Sequence, residues 1–277
     1  MRVCVTFNPS TCPWTTGYHI LDAFSRLTEH EVVHAEPHTA HEVDADLYMF
    51  VDSGHPDSLH TPPHKTIFYS IDSYLRGTRD IWYFEMASRV KWVFDVTRAG
   101  QKWFKEQGVN VLYSPLAFND KIYYHEDDMY EMEVKPFDVC FVGGRKDEGK
   151  RKEILDIVGD NFSLSTPVVW AHGIRELINL SKCFLDIPPM ESDLQGQRFY
   201  EGLGCYANMV TLERPSIQGL EETNLFYYNL EDLEGSLTKA ISKAIVSERK
   251  IPTGPSSHTY VNRLKDIMKI VETTYET

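Results

Sequence analysis

One pattern constrains this chain more than any other. Short apolar, β-branched runs alternate with stretches of helical spacing, and several runs end on a carboxylate. Met1 to Phe7 is the first such run, and Glu31 to Ala35 is the second. Asp46 to Asp52 and Lys65 to Asp72 (K-T-I-F-Y-S-I-D) follow, then Val90 to Val96 and Val109 to Tyr113. Between them, Ile20, Leu21, Phe24 and Leu27 recur at helical spacing, and Thr97 stands where a helix running to about Glu106 needs an N-cap. Strands that alternate with helices predict a mainly parallel, doubly wound sheet.

The pattern restarts near residue 137. Asp138 to Val142 predicts a strand, Gly143-Gly144-Arg145 its turn, and Lys150 to Val158 a helix. Further strands are predicted at Phe162 to Val168, Cys183 to Ile187 and Asn208 to Leu212. Helices are predicted at Gly173 to Ser181, Leu233 to Val246 and His258 to Val271, with Ser257 placed to cap the last. Between the halves lies the acidic stretch H-E-D-D-M-Y-E-M-E, His125 to Glu133. The reading is an α/β chain of two Rossmann-like domains facing across a cleft. Residues 1–117 form the N-terminal domain, 118–136 an acidic interdomain linker and 137–277 the C-terminal domain. A length of 277 residues suits two medium domains. In such folds ligands bind outside the carboxyl ends of the strands.

Composition narrows the partners. The net charge of −13 argues against a general polyanion binder, which needs clustered Lys and Arg, although a local basic groove is compatible with it. The five cysteines are scattered without CxxC spacing and lie mostly in apolar runs, as buried free thiols of a reducing compartment do. The N-terminus lacks a signal h-region, and no apolar stretch approaches the roughly 20 residues of a membrane helix. A soluble, cytoplasmic protein without membrane insertion is expected.

Four groups of residues carry candidate chemistry. In F-V-G-G-R-K-D-E-G-K, Phe141 to Lys150, a strand and two glycines precede cations and a helix. Gly143 and Gly144 free the backbone to approach an anion, and Arg145 and Lys150 supply charge. The segment lacks G-K-[ST] and G-x-G-x-x-G, and taken by itself it reads first as a tight turn with a solvated basic helix start. In D-L-Q-G-Q-R-F-Y-E-G-L-G-C-Y-A-N-M-V-T, Asp193 to Thr211, Arg198 and Glu201 open a short helix and small residues follow. Small residues let a helix N-terminus approach a phosphate, and a carboxylate accepts bonds from sugar hydroxyls. The plain alternative for Arg198 and Glu201 is an i,i+3 ion pair. Asp52, Asp72 and Asp95 end strands, where a carboxylate serves as general base or, more plainly, as a cap. Asp72, flanked by Tyr69 and Tyr74, is the candidate base. Among the histidines, His34, His38 and His41 have ligand-like spacing, but Pro37 interrupts them, so no metal site is expected. His172, at a helix start, is placed for phosphate or sugar, or for a plain turn.

Four of these pieces, in order, resemble the CgeB-type (spore maturation protein) glycosyltransferases and, more distantly, the retaining group-1 glycosyltransferases of the GT-B fold. Y-S-P-L-A-F (Tyr113 to Phe118) resembles their interdomain crossing, and D-V-C-F-V-G-G-R (Asp138 to Arg145) their second-domain first strand and glycine turn. Q-R-F-Y-E-G-L-G-C-Y (Gln197 to Tyr206) resembles their Arg-Phe/Val-Phe-Glu-Ala-x-Ala-Cys-Gly motif, and S-H-T-Y-V-N-R-L (Ser257 to Leu264) their terminal helix. The resemblance implies that Arg145 and Lys150 bind a donor diphosphate and that Glu201 binds the ribose. It implies that Asp193, the first member of a Glu-x7-Glu element that has Asp here, contacts the sugar. Arg198 is left between a donor contact and a partner that orients Glu201. Tyr206 stands where the family has Gly.

The implied activity is transfer of a sugar from a nucleotide-sugar, UDP-linked, to a hydroxyl acceptor. Cations and helix N-termini would meet the charge that develops on the leaving diphosphate, so neither a metal nor a resident cofactor is expected. If configuration inverts, Asp72 would be the base. The acceptor is a glycan, a protein or a hydroxymethylated base in phage DNA, in a bacterial or phage-infected cytoplasm. The basic and aromatic residues from Arg76 to Trp103 either line an acceptor groove or form a surface helix over core aromatics. The alternatives are a non-catalytic nucleotide-sugar-binding protein of the same fold and another two-domain enzyme, such as an epimerase or phosphorylase.

Overall fold

A computed structural model describes residues 1–9, 15–53, 55–73, 81–126, 135–144, 149–190, 195–214, 224–251 and 256–275. The chain divides into two compact units, Met1–Ala117 with His258–Thr277, and Phe118–Ser257.

In the first unit, the strands are β1 (Arg2–Thr6), β2 (Glu31–Ala35), β3 (Leu47–Val51), β4 (Thr66–Ser70), β5 (Trp92–Asp95) and β6 (Leu112–Tyr113). They form one parallel sheet in the order β2-β1-β3-β4-β5-β6. Helices α1 (Thr16–Ser25), α2 (Ile81–Arg89) and α3 (Arg98–Glu106) connect strands. β3 and β4 are buried at every position, because central strands of a parallel sheet are covered on both faces and so read as solid apolar runs. The edge strand β2 is partly exposed. Thr97 does cap α3, its Oγ1 accepting the Gly100 N–H at 2.8 Å.

In the second unit, β7 (Phe137–Cys140), β8 (Leu164–Ser165), β9 (Ser181–Leu185), β10 (Met209–Leu212) and β11 (Leu225–Tyr228) lie parallel in the order β11-β10-β9-β7-β8. Its helices are α4 (Lys150–Asn161), α5 (His172–Asn179), α6 (Gln197–Gly204) and α7 (Leu233–Val246). Val139, Leu185 and Val210 of the sheet, Ile154 and Val158 of α4, and Leu237 and Ile241 of α7 share one core. Two helix ends are closed by side chains. The buried Arg249 donates to the carbonyls of Ile178 and Ser181 at 2.8 and 2.7 Å, and Asn208 Nδ2 donates to those of Ala244 and Ser247. The bonds to Ile178, Ala244 and Ser247 satisfy carbonyls at helix C-termini, and the bond to Ser181 satisfies the first carbonyl of β9.

Three expectations need correction. The last helix, α8 (Tyr260–Tyr275), belongs to the first unit, not to a domain spanning 137–277. Its buried stripe of Tyr260, Leu264, Ile267, Met268 and Val271 packs on α1, with the Tyr260 and His19 rings stacked at 5.7 Å. Trp92 Nε1 donates to Thr274 Oγ1 at 2.8 Å. Helical periodicity reveals an apolar stripe but not which core it joins. The cap of α8 is Thr259, whose Oγ1 accepts the Asn262 N–H at 3.2 Å, rather than Ser257. The start of the expected 118–136 interdomain linker belongs to the second unit instead, where Phe118, Ile122 and Tyr123 are buried. The linker's acidic residues from 127 to 134 lie outside the described residues.

Candidate functional sites

In the second sheet, β7 is followed by β8 on one side and β9 on the other, which opens a crevice at the carboxyl ends of β7 and β9. The turn after β7 presents Gly143 and Gly144, both exposed. A Cβ on Gly143 would stand 2.7 Å from the Phe141 ring, whereas Gly144 faces open space. Arg145 lies outside the described residues, as does Asp193. Lys150 opens α4, exposed, with its Nζ 2.8 Å from Glu153 Oε2. Among the described residues, a cation that reaches the glycine turn is its neighbour Arg151, whose Nη1 donates to the Gly144 carbonyl at 3.1 Å. Sequence spacing picked Lys150 and passed over Arg151, because spacing does not say how a long side chain turns.

At the end of β9 stands Asp186, 4% exposed and likewise missed. The apolar run C-F-L-D ends on a carboxylate as several first-unit strands do, which was the available signal. Its Oδ2 accepts from Thr211 Oγ1 at 2.8 Å. Burial pushes its carboxyl up to about 6, against the opposing Thr211 bond and the Arg214 and Arg151 charges.

On α6, Arg198 and Glu201 form the expected i,i+3 pair. Glu201 is 1% exposed, its Oε2 taken by Arg198 and its Oε1 accepting from Tyr123 Oη at 2.9 Å. Burial raises the Glu201 carboxyl above its usual range, and the Arg198 charge and the two hydrogen bonds restrain that rise. Tyr123 is the residue the sequence reading missed here, since it lies 78 positions away. The Arg198 guanidinium also sits 5.8 Å from the centre of the half-exposed Trp170 ring. His172 is exposed at the first position of α5, behind Ala171 at φ 46°.

The small residues after Glu201 have a different job from the phosphate approach inferred for them. A Cβ on Gly202 would lie 2.7 Å from the Phe184 ring, and one on Gly204 2.6 Å from the Phe118 ring. They let α6 settle against the sheet and the 118–123 segment. Tyr206, where glycine was expected, takes the left-handed conformation glycine would supply, at φ 51°. Its N–H bonds Leu203 O and the Ala207 N–H bonds Gly202 O, a Schellman C-cap.

The first unit has its own crevice, between β1 and β3, holding a pocket of about 360 Å³. Asp52 and Asp72 both line it, with Phe7, Thr16, Ser53 and Trp82 among the others. Asp52 Oδ1 accepts from the N–H groups of Ile71 and Asp72 and from Tyr83 Oη, at 2.9, 3.0 and 2.8 Å. Asp95, by contrast, is fully buried under Ser70 and Thr97 hydroxyls and faces no open site. Tyr74, Arg76 and Arg79 lie outside the described residues. Of the remaining basic and aromatic residues up to Trp103, Trp82 reaches the pocket. Lys91 and Trp92 instead hold Thr274 of α8, Trp103 packs on Phe84 and Phe104, and Arg98 lies over Tyr113.

His34, His38 and His41 do not converge. Their neighbours are the Phe7 carbonyl, Glu36 with His55, and His60 respectively. Among the described residues, no three His, Cys, Asp or Glu side chains group as metal ligands, and no helix is long and apolar enough to cross a membrane. The described cysteines, Cys4, Cys140, Cys183 and Cys205, are free and buried.

No protein-family model and no curated protein matches this chain. Solved structures do resemble it. A DNA-modifying β-glucosyltransferase, studied with and without its substrate uridine diphosphoglucose, superposes at TM-score 0.53 and 12% identity, covering 100% of this chain and 97% of that one. The UDP-GlcNAc 2-epimerase of Methanocaldococcus jannaschii does so at 0.55 and 11%, covering 97% and 99%. The sucrose-phosphate synthase of Thermosynechococcus elongatus does so at 0.52 and 10%, covering 99% and 94%. At such identities the likeness is one of fold, and the chain has two parallel-sheet α/β units of the GT-B type.

Proposed function

We propose that the protein is a glycosyltransferase that moves a sugar from a UDP-linked donor to a hydroxyl acceptor, of the CgeB-like kind its motifs resemble. The observation that carries this reading is Glu201, a buried carboxylate on α6 fixed from two sides by Tyr123 and Arg198. A carboxylate so held is oriented in advance to accept hydrogen bonds from ribose hydroxyls. Further support comes from the similar folds, whose proteins are described with UDP-glucose, UDP-GlcNAc and UDP.

In this reading the second unit binds the donor. The exposed Gly143-Gly144 turn lets main-chain N–H groups approach the diphosphate, and Arg145 and Lys150 supply positive charge. Asp193 contacts the transferred sugar, His172 a phosphate or the sugar, and Arg198 holds Glu201 or touches the donor itself. The acceptor oxygen forms its bond to the anomeric carbon as the bond from that carbon to the diphosphate oxygen breaks. Negative charge grows on the leaving nucleoside diphosphate, where fixed cations and N–H dipoles act without needing a divalent ion. In an inverting reaction the acceptor proton passes to Asp72, which lines the first-unit pocket. The first unit is the acceptor side, and the reaction belongs in the cytoplasm, where buried free thiols stay reduced.

The test is a screen of nucleotide-sugars by mass spectrometry against glycans, peptides and hydroxymethylated DNA. Release of UDP with a matching mass gain on an acceptor supports transfer. Tight UDP-sugar binding without turnover on any acceptor makes the protein a binder only. An altered donor sugar with no acceptor product favours an epimerase, an activity one of the similar folds carries. Arg198→Ala separates the roles of that residue: a raised donor KM at unchanged thermal stability marks a donor contact.

A further inference from the structure

Behind the first-unit pocket, the oxygens of four side chains form one continuous chain. Tyr83 Oη lies 2.8 Å from Asp52 Oδ1, Ser70 Oγ 2.8 Å from Tyr83 Oη, and Ser70 Oγ 2.7 Å from Asp95 Oδ2. Asp52 lines the pocket, whereas Ser70, Tyr83 and Asp95 are fully buried. All three contacts have the length of O–H···O hydrogen bonds, and each needs a proton between its oxygens.

Two hydroxyls supply only two of those protons. With both carboxyls ionised, Tyr83 would donate to Asp52 and Ser70 to Asp95, and the Ser70–Tyr83 contact would set lone pair against lone pair. A third proton closes the chain, and a carboxyl has to carry it. We infer that Asp52 and Asp95 share one proton at neutral pH, that it rests on Asp95, and that the negative charge stands on Asp52 at the pocket wall. Every donor then points the same way: Asp95 Oδ2 to Ser70, Ser70 to Tyr83, and Tyr83 to Asp52 Oδ1. If each of the three protons steps one oxygen along, the charge moves from Asp52 to Asp95 and no proton is gained or lost.

The surroundings choose between the two ends. Asp52 Oδ1 also accepts the N–H groups of Ile71 and Asp72 at 2.9 and 3.0 Å, which a carboxylate oxygen matches better than an acid O–H. Burial raises the Asp95 carboxyl above its usual range, and the hydroxyls around it restrain that rise. Asp95 Oδ1 takes the Thr97 N–H and Oγ1–H at 2.8 and 2.9 Å, bonds that the carbonyl oxygen of a neutral acid accepts as well, and Oδ2 is left for the acid O–H. The titratable neighbours on the packed elements are Tyr69 of β4 and Tyr83 of α2, both pushed up by burial and neutral. Tyr113, the register partner of Asp95 on β6, lies under the Arg98 guanidinium of α3.

Ser70, Tyr83 and Asp95 are thus positioning residues that act through Asp52. They keep a fixed carboxylate on the pocket wall, where a ligand hydroxyl can donate to it. In the transferase reading that ligand is the acceptor, and Asp52 joins Asp72 as a group to receive its proton; the shared proton itself stands without that reading.

The experiment uses the full chain labelled with carbon-13 at the aspartate carboxyls, with neither donor nor acceptor added, so its failure leaves the transferase reading untouched. An ordinary aspartate titrates at about pH 4 and is ionised at about pH 7. At that neutral pH the carbon spectrum should hold a protonated carboxyl that Asp95→Asn removes. Asp95→Asn should melt no lower than the wild type, because its amide N–H and carbonyl copy the protonated acid toward Ser70 and Thr97. Tyr83→Phe should lower the Asp95 titration midpoint by at least about one pH unit, since Ser70 is then released to donate to an Asp95 carboxylate. An Asp95 carboxyl already ionised at neutral pH overturns the inference. So does a midpoint that Tyr83→Phe leaves in place, because burial alone would then hold the proton. An Asp95→Asn chain that melts below the wild type, or does not fold, overturns it as well.

Discussion

Asp186→Asn should make the protein more stable at neutral pH and leave it nearly unchanged in acid. Asp186 is sealed at the end of β9, and burial lifts its carboxyl from 3.8 to about 6. Between those values the folded chain keeps a proton that the unfolded chain has lost. Stability therefore falls as pH rises from about 4 to 6, and above 6 the loss is complete. A shift of about two units at about 1.4 kcal/mol each amounts to about 3 kcal/mol. Asparagine is nearly isosteric, can keep a hydrogen bond with Thr211, and does not titrate. Urea unfolding of both proteins from pH 4 to 7.5 isolates this one group, since every other titration is shared. The variant's advantage should grow by about 3 kcal/mol across that range, which moves the urea midpoint by about 1–3 M. Parallel curves would refute the desolvation argument. A variant less stable at pH 7 would show that Arg214 and Arg151 stabilise the charge more than burial penalises it.

Three further outcomes follow from the packing. Tyr206→Gly should raise stability by about 1 kcal/mol, because φ 51° at the α6 C-cap costs tyrosine and not glycine; calorimetry should show a rise of roughly 2–4 °C. Gly204→Ala should destabilise by about 1–3 kcal/mol in denaturant titration, since its Cβ would overlap the Phe118 ring and press on Tyr123. With Cys4, Cys140, Cys183 and Cys205 buried and their thiols pushed above the usual range by that burial, an aromatic disulfide reagent should leave all four unmodified until denaturant is added.

The fold was legible to the extent that local pattern controls it. Asp46 to Asp52 and Lys65 to Asp72 read as strands from a few neighbouring residues, and β3 and β4 lie within them. Thr97 read as a cap for the same reason. Among the α-helices and strands of the described residues, α2 and β11 escaped. α2 lies in an aromatic run, I-W-Y-F, without clear helical spacing, and β11 is an edge strand of four residues. Of the candidate site, the Arg198–Glu201 pair was visible because its members stand three positions apart on one helix. Tyr123 was not, because only the folded chain brings residues 78 positions apart to 2.9 Å.

Sequence alone thus determined that this is an α/β protein of two parallel sheets, since side-chain period and capping act over a single turn or strand. Tertiary structure decided what depends on distance through space. It took α8 into the first unit, because an apolar stripe carries no address and the matching surface was on α1. It turned Gly202 and Gly204 from a phosphate approach into a packing seam against Phe184 and Phe118. It also separated three similar strand-end carboxylates. Asp95 is buried under hydroxyls, Asp52 is locked into the wall of a pocket, and Asp72 lines that pocket beside it. A carboxylate's role is set by what surrounds it, and its surroundings come from parts of the chain that sequence proximity does not connect.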